Sequence, residues 1–89
     1  MIHVLISGYV QGIGFRQFIK ANAIKLNLKG WVKNIPDGRV EAMLVGDSSN
    51  LNKMVKLCRK GPFLAEIKNV EVDWNYKSPT DIIGFEIIK

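Results

Sequence analysis

The chain has 89 residues, enough for one small domain with a single hydrophobic core. Hydrophobic residues make up 47% of the chain and charged residues 24%, a balance that is typical of globular proteins and excludes a disordered chain. The net charge of +5 favours anionic partners, from nucleic acids to phosphorylated metabolites, without choosing between them.

The chain contains one cysteine, Cys58, and one histidine, His3. These counts exclude an internal disulfide and a cysteine metal cluster, and they argue against a Cys/His or Ser/His catalytic pair. No apolar run approaches the roughly 18 to 20 residues that cross a bilayer. The N-terminus also lacks the basic region and the cleavage site of a signal peptide. We therefore expect a cytoplasmic protein that binds no metal.

The first predicted element is a strand at residues 2 to 7, IHVLIS, which is rich in β-branched residues and is ended by Gly8. From Phe15 the spacing of the apolar residues becomes helical. This helix is expected to end at Asn27, because asparagine tolerates the left-handed conformation that closes many helices. The positions predicted to share one helix face are Phe15, Phe18, Ile19, Asn22, Ala23 and Leu26.

A β-hairpin is predicted next, with strands at residues 31 to 35 and 39 to 45 joined by Pro36-Asp37-Gly38. Ser48 or Ser49 is expected to cap a second helix, which Gly61-Pro62 ends. The apolar stripe of that helix is Leu51, Met54, Val55 and Cys58. A fourth strand is predicted at residues 67 to 74 and a last strand within residues 84 to 89.

The predicted order is β-α-β-β-α-β plus a C-terminal strand, all within a single domain of residues 1–89. Two helices on one face of a mainly antiparallel sheet form a ferredoxin-like two-layer sandwich of the α+β class. In this topology the first two strands run parallel, with the third strand between them. The loop after the first strand and the end of the second strand therefore share one rim of the sheet, about 10 Å apart.

Three glycines, Gly8, Gly12 and Gly14, lie close together immediately before the first helix. One glycine would suit a tight connection, but three are more than a turn requires. Such a loop can present its N–H groups, with those of the helix start, as an anion-binding nest. It matches neither GxGxxG nor GxxxxGK[ST], so a nucleotide site is disfavoured.

Arg16 is the second unusual feature of this rim. A cation in the first turn of a helix costs about 0.3 to 1 kcal/mol against the helix dipole. A bound anion would reverse the sign of that cost, and the planar guanidinium suits a phosphoryl group. We therefore expect Arg16 to bind an anion rather than to be an ordinary surface arginine.

Asn34 lies on the same rim, at the predicted end of the second strand. Asparagine is poor in strands, and its simplest role here is to enter the turn at Pro36. Its position near the glycine loop favours a second role, since an amide can accept a hydrogen bond from water and donate one to an anion.

Two stretches of the chain resemble the signatures of the acylphosphatase family. Residues 8 to 16, GYVQGIGFR, look like the first signature, and residues 30 to 38, GWVKNIPDG, look like the second. The likeness covers essentially the whole chain, including Gly61-Pro62 and the closing Gly84-Phe85-Glu86. Departures from the family pattern at Tyr9, Asn27 and Phe63 bear on the shape of the rim and on substrate preference.

The resemblance implies hydrolysis of an acyl phosphate to a carboxylate and inorganic phosphate, without a metal or an organic cofactor. It implies that Arg16 and the loop bind the phosphoryl group and that Asn34 positions the attacking water. The expected partners are a small acyl phosphate and inorganic phosphate as product and competitive inhibitor, with no nucleic acid or membrane, and we expect a monomer. The residues expected to form the phosphate-binding loop are Tyr9, Val10, Gln11, Gly12, Ile13, Gly14, Phe15 and Arg16.

Two alternatives stay open at the level of sequence. RNA-recognition motifs share this topology, and residues 12 to 15, GIGF, echo their signature, although its aromatic residues must lie on a central strand. The second alternative is a catalytically idle accessory domain, similar to the N-terminal part of hydrogenase-maturation carbamoyltransferases. We expect the 89 residues to be a complete chain, which favours a free enzyme.

Overall fold

The computed structural model describes residues 1–77 and 81–89. The elements in chain order are β1 (Ile2–Tyr9), α1 (Phe15–Lys25), β2 (Lys29–Asn34), β3 (Val40–Val45), α2 (Ser48–Lys60), β4 (Glu66–Asp73) and β5 (Phe85–Ile88). The predicted order β-α-β-β-α-β with an added C-terminal strand is confirmed. Across residues 1–77 and 81–89, no helix is long and apolar enough to cross a membrane.

The five strands form one sheet in the order β4-β1-β3-β2-β5. Strand β3 pairs antiparallel with both β1 and β2, so β1 and β2 run parallel to each other. The loop that leaves β1 and the end of β2 at Asn34 consequently lie at the same edge of the sheet, as predicted. Strand β5 pairs parallel with β2 and extends the sheet on that side.

Both helices pack on one face of the sheet and enclose the hydrophobic core. Alternate residues of β1, namely Ile2, Val4 and Ile6, point into this core and are fully buried. All four residues of the predicted stripe on α2 are buried as well. Each large apolar side chain removed from water stabilises the fold by roughly 1.5 to 3 kcal/mol, so this layer supplies the rigidity on which the rim rests. The arrangement is the predicted ferredoxin-like sandwich.

A β-bulge between β1 and β4 changes the register of the sheet near the rim. Ser7 pairs with Asn69 but Gly8 pairs with Ile67, so Lys68 is the extra residue. Strict alternation would place Ile67 on the face opposite to Val70, whereas the bulge lets both pack against the core.

The bulge also explains Gly8, which sequence reasoning placed at the end of the strand. Gly8 lies inside β1 with φ 125°, and a Cβ there would collide with the carbonyl oxygen of Glu66. The strand therefore continues to Tyr9, and the close approach of β4 is what requires a glycine at this position.

The cap of α2 differs from the prediction. Asp47, and not Ser48 or Ser49, is the N-cap, and its carboxylate accepts a hydrogen bond from the Asn50 N–H at 2.9 Å. A carboxylate both satisfies this N–H and complements the positive end of the helix, which a serine hydroxyl does less well. The predicted helix ends are confirmed, since Asn27 has φ 55° after α1 and Gly61 closes α2.

Candidate active site

The loop between β1 and α1 is held at both ends by buried side chains. Val10 and Phe15 are each only 1% exposed. Between them, Gly12 and Gly14 have φ angles of 79° and 81°, in the left-handed region, where other residues are strained. Left-handed residues that alternate with others turn successive N–H groups toward one side, a geometry that binds anions.

The first turn of α1 adds donors to the same place. Gly14 is the N-cap, and the first hydrogen bond of the helix runs from the Phe18 N–H to the Gly14 carbonyl at 3.0 Å. The N–H groups of the first three helical residues consequently have no acceptor one turn earlier in the helix. This turn contains no acidic residue and no side-chain cap, so the positive end of the helix dipole has no protein counter-charge there.

Arg16 and Asn34 come from different elements and line one cleft. Arg16 is the second residue of α1, and Asn34 is the last residue of β2. Within residues 1–77 and 81–89, neither side chain makes a hydrogen bond or an ion pair with the protein. The cleft has a volume of about 240 Å³, and it is lined by Val10, Gly12, Gly14, Phe15, Arg16, Gln17, Asn34, Ile87 and Lys89.

Five of the eight residues that the sequence assigned to the loop line this cleft, and three do not. Tyr9 pairs with Glu66 in the sheet and is 59% exposed. Ile13 packs against the core. The Gln11 side chain turns to the β2–β3 hairpin, where its amide donates hydrogen bonds to the carbonyl oxygens of Ile35 and Arg39, each at 2.9 Å.

Three residues of the cleft wall, Gln17, Ile87 and Lys89, were not expected from the sequence. The helical period could have indicated Gln17, because it follows Arg16 in the first turn of α1. Ile87 and Lys89 reach the cleft because β5 pairs with β2, placing Ile87 beside Val32. No local pattern specifies that pairing, so only the tertiary structure brings the C-terminal strand to this rim.

The cleft is electropositive. Its wall contains two cations, Arg16 and Lys89, and its described lining residues include no aspartate, glutamate or histidine. Together with the N–H groups at the start of α1, these side chains provide the charge and the hydrogen-bond donors that an anion site requires.

His3 and the acidic side chains of Glu41 and Asp37 lie outside the cleft. His3 is on the sheet face opposite the helices, where its Nε2 lies 2.7 Å from an oxygen of Glu41. Lys33 also approaches Glu41, at 3.5 Å. Asp37 is in the hairpin turn, and hydrogen bonds from the backbone and the guanidinium of Arg39 lower the pKa of its carboxyl. None of these groups lines the cleft.

The aromatic residues Trp31, Trp74 and Phe85 differ in their surroundings. Phe85 is buried in the core, and Trp31 is half-buried beside His3 on the open sheet face. Trp74 follows β4 and is 48% exposed, so it belongs to neither layer.

Comparison with known proteins places this geometry in a family. Residues 2–87 match the family model described as Acylphosphatase. A curated acylphosphatase of Trichormus variabilis is 43% identical over 86 residues, which cover 97% of this chain and 83% of that protein. The crystal structure of the acylphosphatase from Bacillus subtilis aligns with a TM-score of 0.90 and 31% identity, over 99% of this chain and 97% of that one.

A larger protein contains a similar unit. Full-length HypF, solved in a phosphate- and nucleotide-bound form, aligns over 99% of this chain with 26% identity and a TM-score of 0.81, but over only 11% of its own chain. The two acylphosphatases above match this chain over most of their own lengths, so an accessory domain is not favoured. The chain therefore belongs to the acylphosphatase family.

Proposed function

We propose that this protein hydrolyses a small acyl phosphate to a carboxylate and inorganic phosphate by attack of a positioned water on phosphorus. One observation carries the proposal: Arg16, Asn34 and the open start of α1 share a single electropositive cleft. Membership of the acylphosphatase family supports the activity. The roles of the individual residues follow from their chemistry.

The phosphoryl group is bound by the loop and by Arg16. The N–H groups at the start of α1 can donate to its oxygens, and the helix dipole favours a negative charge at this end. The Arg16 guanidinium donates in pairs to a second edge of the phosphoryl group. The position of the Arg16 cation in the first turn of α1 is unfavourable without an anion. It becomes favourable when the anion is bound, because the negative charge attracts both the guanidinium and the positive end of the helix dipole.

Asn34 positions the water. Its amide oxygen accepts a hydrogen bond from water, and its NH₂ group donates to a phosphoryl oxygen, so one side chain can hold both reactants. Phosphoryl transfer passes through a loose, in-line transition state that asks mainly for alignment and for charge stabilisation. Arg16 and the N–H groups stabilise the charge, and Asn34 sets the direction of attack.

The proposed reaction needs few side chains, because neither the leaving group nor the attacking water requires an acid or a base from the protein. A carboxylate leaves as a weak base, so no general acid has to protonate it. The described lining residues include no aspartate, glutamate or histidine that could act as the base. We assign that role to an oxygen of the substrate's own phosphoryl group, which lies within reach of the attacking water. No step requires a metal or an organic cofactor.

We also propose that the active unit is a cytoplasmic monomer made of a single domain, residues 1–89. The groups that the proposed mechanism uses, namely Arg16, Asn34 and the start of α1, all belong to this chain, so the proposed reaction calls for no second copy. Cys58, the one cysteine of the sequence, is a free and buried thiol, and a chain without a disulfide suits a compartment where thiols stay reduced.

The RNA-binding alternative loses its structural basis at Phe15. A base-stacking aromatic has to lie on an exposed sheet surface, whereas Phe15 begins α1 and is 1% exposed. The motif GIGF therefore forms a loop and a helix start in place of a stacking platform.

The decisive experiment is an assay of benzoyl phosphate hydrolysis in the presence of EDTA. We expect steady turnover that EDTA does not reduce and that inorganic phosphate inhibits competitively. No hydrolysis above the uncatalysed rate, together with tight binding of single-stranded RNA, would overturn the proposal. Sedimentation equilibrium at the assay concentration tests the monomer separately.

A further inference from the structure

The Gln11 side chain connects the loop between β1 and α1 to the hairpin between β2 and β3. Its amide nitrogen donates to the carbonyl oxygens of both Ile35 and Arg39, at 2.9 Å each. Ile35 directly follows Asn34 in the chain, and Gln11 belongs to the loop that leads to Arg16. A single amide thus joins the anion-binding loop to the backbone beside the residue proposed to hold water.

The hairpin does not need these bonds for its own hydrogen bonding. The Arg39 carbonyl already accepts from the Ile35 N–H at 3.0 Å, and the Ile35 carbonyl accepts from the Gly38 N–H at 3.1 Å. Asp37 and Arg39 close the turn further with bonds of 3.0 and 2.7 Å. Each of these two carbonyl oxygens therefore accepts one hydrogen bond within the hairpin and a second one from the Gln11 amide.

The loop, in contrast, depends on the Gln11 amide for its position relative to the hairpin. Val10 and Phe15 lie in the core and anchor its ends, and the two Gln11 bonds are the side-chain hydrogen bonds that join the loop to the hairpin among the described residues. Both N–H groups of the Gln11 amide are engaged, so the side chain is held in one orientation. The bonds set the distance between the loop and the end of β2.

We propose that Gln11 is a positioning residue that aligns the phosphoryl-binding loop with Asn34, and so aligns the phosphoryl group with the attacking water. This inference rests on the proposed function, because it refines how that reaction is aligned. The Gln11 side chain does not line the cleft. It acts through the carbonyl oxygens of the hairpin and through the backbone of its own loop.

The first test replaces the amide by a side chain of similar length that cannot donate, Gln11→Met. We expect kcat for benzoyl phosphate to fall about tenfold, because a small misplacement of the reacting groups has a large effect on rate. The inhibition constant of inorganic phosphate should change less than about threefold, because the loop N–H groups and Arg16 are retained. The matched control is Asn52→Leu, which removes an amide-to-carbonyl bond on α2, away from the cleft, and should change neither value.

The second test, Gln11→Glu, separates positioning from packing. The ionised carboxylate cannot donate and lies against two carbonyl oxygens, so kcat at neutral pH should be as low as in Gln11→Met. As the pH falls toward the ordinary pKa of a glutamic acid, about 4.3, the neutral carboxyl regains one O–H donor. The ratio of kcat in Gln11→Glu to kcat in Gln11→Met should then rise roughly threefold or more.

Three kinetic results would overturn the inference. The first is a kcat in Gln11→Met that stays within about twofold of wild type. The second is a loss of phosphate affinity as large as the loss of kcat, which would mean that the loop itself had collapsed. The third is a ratio between the two variants that does not change with pH.

A failure of the proposed function is recognised separately, because wild-type protein would then fail to hydrolyse benzoyl phosphate. A readout without turnover covers that case. With inorganic phosphate present, the NMR signals of the Asn34 side-chain amide should shift in Gln11→Met and stay in place in Asn52→Leu. Unchanged Asn34 signals in Gln11→Met would overturn the positioning role even in a protein without activity.

Discussion

Arg16 and Asn34 line the same cleft although one begins a helix and the other ends a strand. The sheet order brings them together, since β3 lies between β1 and β2 and makes those two strands parallel. The cleft thereby combines an unpaired cation, open backbone donors and a free amide. This combination suits a reaction that depends on alignment and charge.

Arg16→Lys should lower kcat/KM for benzoyl phosphate by about 100-fold, the order of effect expected when one hydrogen-bond donor to the transition state is removed. Lysine keeps the charge but loses the planar pair of donors that fits two phosphoryl oxygens. Steady-state kinetics measure the effect, and Arg59→Lys, on the exposed face of α2, is the control that should behave as wild type. Activity near the wild-type level in Arg16→Lys would mean that the guanidinium does not bind the phosphoryl group.

Asn34→Ala should reduce kcat by about 100-fold, because the attacking water loses the group that orients it. The inhibition constant of inorganic phosphate should change by less than about threefold, since the loop and Arg16 still bind the anion. Asn69→Ala, on the exposed surface of β4, provides a comparison that should leave both values unchanged. Near-normal turnover in Asn34→Ala would remove this residue from the mechanism.

Lys89→Met tests the second cation of the cleft. Lys89 is exposed, so its contribution is screened by solvent, and we expect inorganic phosphate to bind roughly two- to fivefold more weakly. The difference from wild type should shrink as the ionic strength rises. Lys77→Met removes an equal charge outside the cleft wall, and a loss as large in that variant would contradict a local role for Lys89.

Gly8 and Gly12 should differ sharply when each is replaced by alanine. Gly12→Ala meets open space and costs only the left-handed backbone strain of about 1 to 2 kcal/mol. Gly8→Ala adds a collision with the Glu66 carbonyl, so the free energy of unfolding should fall by about 3 kcal/mol or more. Urea denaturation compares the two variants, and equal losses would contradict the close approach of β1 and β4.

Cys58 should make the protein less stable in alkaline solution. Burial raises the pKa of its thiol from 9.0 to about 12, so between these values the unfolded chain releases a proton that the folded chain retains. The free energy of unfolding should therefore fall by about 1 kcal/mol per pH unit above pH 9. Unfolding curves at pH 9 and 10 should show a smaller drop for Cys58→Ala, whereas an identical drop would contradict this origin.

Several features of the fold could be predicted from short stretches of the sequence. Gly12, Gly14 and the helical spacing from Phe15 specify the loop and the start of α1, because backbone freedom and side-chain period act over only a few residues. The Pro36-Asp37-Gly38 turn and the Gly61 stop are local in the same sense. Short-range patterns can still be ambiguous when several neighbouring residues suit the same role. Asp47, and not one of the adjacent serines, is the N-cap of α2.

Contacts between distant segments of the chain could not be predicted from local patterns and are seen only in the tertiary structure. The bulge at Gly8, the two bonds of Gln11 and the arrival of Lys89 at the cleft all depend on segments that are distant in the chain. A strand's partner and register follow from packing of the whole sheet, and a side chain such as Gln11 finds its acceptors only after that packing is complete. The sequence by itself therefore identified Arg16, Asn34 and the glycine loop as candidate site residues, and the assembled sheet decided how they are aligned and which further residues join them.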